Sequence, residues 1–350
     1  MSVLNRVSAN IEKQNQLLSS NSSNFQHDYS DQAAWLMAVF SELSYQDFIP
    51  FFQHRLAEPN RAKSCHTKSS KQRKNNSKQT CMLSPSIMNL RFALCRESMN
   101  IVECSTVIQV FETKLGADAI LAETPFSYVL AFRGTEFFSL SDLKTNIKAT
   151  LIRNGSSGRV HKGFFRAYQS IENSLIEALS RLRESKMLII TGHSLGGALA
   201  TITVKELESK YNIAACYTFG APRVGNQAWC SEIKTKIYRV VNAADPVTML
   251  PPNGIGCLKN ILSTVPLLGT KVNDLLAGKF FSYTHAGEVR YLTNCKKNHY
   301  SEVQLLSSVS LFYWFKAILI GRLPLKKVIS DHSITVYRKK LAIIALQCCK

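Results

Sequence analysis

The sequence predicts an α/β fold: a mostly parallel central sheet with helices on both faces. Three observations predict it. Between residues 106 and 242 short apolar runs alternate with longer amphipathic stretches, the order that builds strand–helix–strand units and hence a parallel sheet. The run at 187–191, MLIIT, is apolar at almost every position, as a strand covered on both faces must be. Finally, 350 residues with 45% hydrophobic and 19% charged composition can build a sizeable core, and α/β domains often reach this length as one unit.

The elements follow in order. Residues 1–30 are polar, show little periodicity and read as a flexible N-terminus. Residues 31–45, DQAAWLMAVFSELSY, carry apolar residues on one face with Asp31 near the start, and predict a helix. Residues 54–85 form a basic insertion. Its centre, 61–78, holds seven Lys/Arg and no acid, with few large apolar groups. Such a stretch cannot bury enough surface to offset its ordering entropy, so a mobile loop is expected. Strands are predicted at 106–112, 119–123 and 127–132. A helix at 163–186 follows, with Leu175, Ile176, Leu179 and Leu182 at helical spacing. The strand at 187–191 leads into a helix at 195–211, a strand at 213–219, a helix at 227–236 and a strand at 237–242. Residues 303–320 are strongly apolar but interrupted by Ser307, Ser308, Ser310 and Lys316. They predict a buried or interfacial helix in preference to a membrane span. Residues 31–345 are thus read as one domain.

The net charge is +19, from 43 Lys+Arg against 24 Asp+Glu. It favours anionic partners, an anionic membrane surface among them. Nucleic acid is disfavoured, because no basic stripe interleaved with aromatics accompanies the charge. Ten cysteines occur without a CxxC pair or a Cys/His metal spacing, so mostly free thiols and no metal are expected. The first 18 residues lack the apolar run of a secretory signal, which on its own terms predicts a cytoplasmic location with peripheral membrane association open. The sequence implies no particular oligomeric state.

The chemistry centres on residues 187–200, MLIITGHSLGGALA. A buried strand runs into Gly192-His193-Ser194-Leu195-Gly196 and then into a helix. The G-x-S-x-G pattern is common by itself; a strand before it and a helix after it are the context that gives it meaning. A nucleophile at the tip of a sharp strand-to-helix turn has a strained backbone, and Gly192 and Gly196 leave room for the flanking segments to pass. The helix start supplies free N–H groups for an oxyanion, that of Leu195 among them.

Ser194 needs a base, and the base needs an orienting carboxylate. The order serine, acid, histidine directs attention downstream. Asp245 stands just after the strand IYRVVN, at the carboxyl edge of the predicted sheet, where ligands gather in open α/β sheets. Asp274, in a loop-like stretch, is the weaker rival. Position alone leaves His285, His299 and His332 open as the base.

Seven ordered motifs resemble those of the class 3 lipase family, the fungal-lipase-like α/β-hydrolases. They are VLAFRGT at 129–135, Asp142 and Asn146 in SLSDLKTNI, VHKGF at 160–164, GHSLGGALA at 192–200, YTFGAPRVGN at 217–226, the stretch 242–252 with its DPV and LPP, and Asp331-His332-Ser333 with Tyr337. The sequence departs at Leu143, where the family has Trp, and at Thr248, where Pro is usual. The resemblance covers roughly residues 100–345 and implies an α/β-hydrolase fold. It implies His332 as the base and a structural role for His285. It also implies Thr135 as a second oxyanion donor and Arg133, Asp142 and His161 as structural groups near the site, with Arg133 in a buried ion pair with Asp142. Phe137, Phe138 and Leu140 fall where fungal members carry a lid, on a segment short for a movable helix. The implied activity is hydrolysis of lipid esters by a Ser194–Asp245–His332 triad, without metal or cofactor. The rival expectation, a catalytically silent lipid- or protein-binding module on the same fold, sits poorly with a complete triad.

Overall fold

The computed structural model describes residues 28–45, 105–124, 126–134, 150–155, 158–243, 245–251, 283–295, 300–309 and 330–347. The expected basic insertion, the start of the chain, the lid-position aromatics and most of 303–320 lie outside these residues.

Helix α1 (Asp31–Leu43) opens the described chain, with Ser30 as its N-cap accepting from the Ala33 N–H. Strands β1 (Thr106–Phe111), β2 (Ala119–Glu123) and β3 (Ser127–Phe132) follow, then the short β4 (Leu151–Arg153) and β5 (Arg159–His161). Helix α2 (Lys162–Leu179) leads to β6 (Met187–His193), α3 (Leu195–Leu207) and β7 (Ile213–Phe219). After these come β8 (Gly225–Asn226), α4 (Gln227–Ser231) and β9 (Ile237–Asn242). The rest comprises a 3₁₀ turn (Val247–Met249), β10 (Tyr283–Thr284), β11 (Glu288–Leu292), β12 (Leu305–Leu306) and α5 (Ile334–Gln347).

The main sheet has the order β1-β2-β3-β6-β7-β9-β11-β12. From β3 through β11 every pairing is parallel, while β1, β2 and β12 add antiparallel edges. This is the mostly parallel sheet expected from the sequence. Its pleat divides the core into two layers. Tyr128, Leu130, Phe132, Leu188 and Ile190 pack with α2 and α3. Val129, Ala131, Ile189, Tyr217 and Phe219 pack with α1 and α5 on the other face. The buried side of α2 is Phe164, Ala167, Tyr168, Ile171, Leu175, Ala178 and Leu179, spaced three and four apart as a helix stripe must be. Each fully buried large apolar side chain there contributes about 1.5–3 kcal/mol.

Helices α1, α2, α3 and α4 all end earlier than the sequence predicts, at Leu43, Leu179, Leu207 and Ser231. Residues 180–186 form a turn that delivers Met187 beside Ser127 to start the β3–β6 pairing. Helix α4 stops at Ser231 because the Lys234 and Thr235 N–H groups donate to the Glu208 carboxylate instead of to helix carbonyls. The helix expected at 303–320 is corrected at its start: Leu305 and Leu306 pair with Leu292 and Tyr291 as an edge strand. Among the described residues no helix is long and apolar enough to cross a membrane.

A second, antiparallel sheet, β10-β8-β5-β4, has strands of two or three residues. Strands so short cannot show a period of two, and they leave no periodic signal in the sequence. This sheet places His161 at the start of α2 and Thr284 beside Gly225.

Candidate active site

Parallel strands bring their carboxyl ends to one edge, and the site is built there. β6 ends at His193 and α3 begins at Leu195, so Ser194 alone makes the turn. Its φ of 58° and ψ of −127° lie in a region that ordinary side chains avoid, a strain of about 1–3 kcal/mol that the surrounding packing must impose. Two close approaches impose it. A Cβ on Gly192 would meet the Gly196 carbonyl, and one on Gly196 would meet the Phe132 carbonyl at the end of β3. Larger residues at either position would push the turn open.

His332 reaches this serine from the loop before α5. Its Nδ1 lies 2.9 Å from both carboxylate oxygens of Asp245, and its Nε2 lies 2.8 Å from Ser194 Oγ. A carboxylate only accepts, so Nδ1 carries the proton and Nε2 presents its lone pair to the serine hydroxyl. All three groups are buried: Ser194 is 4%, Asp245 0% and His332 3% exposed.

Asp245 has further donors. The Val247 N–H reaches Oδ1 at 3.0 Å and the Tyr337 hydroxyl reaches Oδ2 at 2.6 Å. Burial and the adjacent Asp245 charge push the Tyr337 phenol well above its usual range, so it stays a donor. Tyr337 in turn accepts from the Asn242 N–H at 3.0 Å. The Asn242 side chain donates to the Asp331 carbonyl at 2.7 Å and accepts from the buried Lys340 ammonium at 2.7 Å. The main chain just before His332 is thereby anchored to the end of β9.

The other histidines have separate duties. Nε2 of His285 lies 2.8 Å from the Thr248 carbonyl in the loop after Asp245. Burial, with Arg239 and Arg223 nearby, holds its pKa well below the ordinary range, so it is a neutral donor there. Arg223 joins it, donating to the Met249 and Pro251 carbonyls. These two side chains brace the acid loop. His161 caps α2, its Nδ1 accepting from the Gly163 and Phe164 N–H groups at 3.1 and 3.3 Å. Burial lowers its pKa to about 4. His299 and Asp274, the other expected rivals, lie outside the described residues.

Leu195 opens α3, where an N–H has no carbonyl of its own helix to reach. Thr135, Asp142 and Asn146 lie outside the described residues, but the strand end before Thr135 is present. A Cβ on Gly134 would stand 3.1 Å from Ser194 Cβ, so this segment lies against Ser194. Arg133 stacks its guanidinium over Tyr45, 5.9 Å from the ring centroid.

The "Lipase (class 3)" family model matches residues 129–254, a span that includes Ser194 and Asp245. The match makes this part of the chain similar to the class 3 lipases. A secreted mono- and diacylglycerol lipase of Fusarium solani is 35% identical over 99 residues, 27% of this chain and 30% of that protein. A chloroplastic phospholipase A(1) of Arabidopsis thaliana is 32% identical over 150 residues, 35% of this chain and 33% of that protein. The chain therefore spans about a third of the length of these curated relatives. The crystal structure of a mono- and diacylglycerol lipase from Aspergillus oryzae superposes with a TM-score of 0.55 at 20% identity, covering 87% of this chain and 96% of that one. That likeness establishes the α/β-hydrolase fold.

The comparisons correct one expectation. A cytoplasmic location followed only from the missing apolar run in the first 18 residues. The chain instead resembles a protein named as secreted and another named as chloroplastic. An absent leader pattern is no positive signal, and the relatives overturn the inference drawn from it.

Sequence reasoning did not single out Tyr45 or Lys340, both of which shape the site. Gly220 and Tyr337 were visible only as family motif positions. No local pattern marks these residues, because each acts on a partner far along the chain.

Proposed function

We propose that this protein is a class 3 lipase, a serine hydrolase of carboxylic esters that acts on acylglycerols or related glycerolipids. The observation that carries the reading is the hydrogen-bonded line Ser194–His332–Asp245 at a strained strand-to-helix turn.

Ser194 Oγ attacks the ester carbonyl as its proton passes to Nε2 of His332. Asp245 accepts from Nδ1, fixing the tautomer and stabilising the charged imidazole. The carbonyl oxygen becomes an oxyanion facing the start of α3, where the Leu195 N–H serves as a donor; the motif at 129–135 supports Thr135 as the second donor. His332 then protonates the leaving alcohol, and the acyl group stays on Ser194. Water, deprotonated by His332, attacks the acyl-enzyme and releases the fatty acid. The base supplies about 10²–10⁴-fold in rate, and a single oxyanion donor about 10²–10³-fold.

The names of the relatives, a mono- and diacylglycerol lipase and a phospholipase A(1), support glycerolipid esters as the substrate class. The +19 charge supports docking at an anionic lipid surface; co-sedimentation that failed to rise with acidic lipid content would remove that part of the reading. The activity itself is tested with p-nitrophenyl esters of increasing acyl length, for the wild type beside Ser194→Ala. Turnover that is lost in the variant supports a serine esterase, and the chain-length optimum separates long-chain from short-chain preference. A wild type inert on every ester, with and without a lipid interface, would point to a binding module instead.

A further inference from the structure

The mechanism needs His332 at a fixed height above Ser194, and the structure holds the main chain of the base from two sides. On one side Asn242 Nδ2 donates to the Asp331 carbonyl at 2.7 Å. On the other, Nε2 of His193 lies 2.6 Å from the carbonyl of His332 itself. That carbonyl only accepts, so Nε2 of His193 bears the proton. The ring is buried, 3% exposed, and lies tilted against His332 with centroids 4.7 Å apart. Burial and the neighbouring His332 hold its pKa well below the ordinary range, so the ring is neutral and its Nδ1 is a lone pair. Tyr45, just past the end of α1, stands 2.8 Å from that nitrogen and donates its hydroxyl to it. The same hydroxyl sits where a Cβ of Gly134 would go, and the Arg133 guanidinium lies over the Tyr45 ring.

We propose that Tyr45 and His193 form a two-link strap that positions the base. Tyr45 fixes the tautomer of His193, and His193 fixes the backbone of His332 relative to the residue next to it in the chain, Ser194. The proposal rests on the acyl-transfer reading above and adds two positioning residues to it. The logic is geometric. His193 and Ser194 are adjacent, so one rigid dipeptide holds both the main chain of His332 and the partner of its side chain. With the strap intact, the 2.8 Å separation of Nε2 and Oγ is set by the elbow. Without the Tyr45 hydroxyl, the His193 proton can move to Nδ1. Nε2 then turns a lone pair toward the His332 carbonyl, and the contact becomes repulsive.

The test uses the full chain, with kcat and KM on a p-nitrophenyl ester for the wild type, Tyr45→Phe, His193→Gln, His193→Phe and the Tyr45→Phe/His193→Phe pair. A strap predicts that Tyr45→Phe lowers kcat about tenfold, the worth of one hydrogen bond, with KM changed less than about twofold. His193→Phe loses more, and His193→Gln, which keeps an N–H, recovers part of that loss. The double variant is no worse than His193→Phe, because both changes cut one chain of contacts. Unchanged kcat in Tyr45→Phe, or losses that multiply in the double variant, overturn the strap. An independent readout is ¹⁵N NMR of the histidine rings. The wild type should show His193 as the Nε2–H tautomer, and Tyr45→Phe should show a mixture. An Nδ1–H ring in the wild type refutes the proposal even if no ester is turned over. Inert wild-type enzyme with the expected tautomer shift counts against the ester reading and leaves the strap supported.

Discussion

Acid should loosen this protein at a particular place, the start of α2. His161 is the N-cap there, and its Nδ1 lone pair holds the Gly163 and Phe164 N–H groups. A protonated ring has no lone pair to offer, so charging it costs two capping bonds and buries a cation that is 2% exposed. Burial lowers its pKa from 6.5 to about 4. The unfolded chain therefore binds a proton between these values that the folded chain refuses. Stability from this group is complete above about pH 6.5 and is lost as pH falls toward 4. Each pH unit inside the window is worth about 1.36 kcal/mol, so about 2 kcal/mol has gone by pH 5 and about 3 kcal/mol by pH 4. The perturbation is His161→Asn, since Asn is a strong N-cap that carries no titrating charge. The assay is urea unfolding of wild type and variant at pH 7 and pH 5. His193 and His285 also titrate low and steepen the curve in both proteins, so the difference between them isolates His161. The wild type should lose about 2 kcal/mol more than the variant over that interval. Equal losses would refute the cap-and-charge argument.

Two further outcomes follow from the site. Gly220 has a φ of +58°, and a Cβ there would stand 2.5 Å from Asp245 Oδ2 and 3.1 Å from His332 Nδ1. Gly220→Ala should displace the acid from the base and lower kcat about 10²-fold, while circular dichroism stays native; kcat within threefold of wild type would contradict this. Tyr337→Phe removes a donor to a buried carboxylate and leaves the Asn242 N–H without its acceptor. Unfolding free energy should fall by about 2–3 kcal/mol, read as a shift in the denaturant midpoint at constant slope, and a change below about 0.5 kcal/mol would show that Asp245 is satisfied without it.

How much of this could be read in the sequence follows from the distance over which each signal acts. Strands β2, β3, β7 and β9 have the bounds that their apolar runs predict, because a strand buried on both faces writes its length directly into composition. Helix ends were less legible, since they depend on partners elsewhere, as Glu208 shows by taking the N–H groups that would have extended α4. The turn around Ser194 was legible because its glycines are needed locally. The choice among His285, His299 and His332 was not, because it depends on where three loops meet. Family motifs pointed to His332, and the hydrogen bonds to Ser194 and Asp245 give that choice its geometry. Tyr45 and Lys340 left no trace, since a tyrosine after a helix and a lysine inside one look the same whether or not they brace a site.

The central claim is that Ser194 is a nucleophile activated by His332. The most direct measurement is covalent labelling with a fluorophosphonate, with the modified peptide located by mass spectrometry in wild type, Ser194→Ala and His332→Ala. The account predicts one adduct, on the peptide that carries Ser194, lost in Ser194→Ala and formed at least about 10²-fold more slowly in His332→Ala. An adduct on another residue, or equal labelling rates with and without His332, would contradict it.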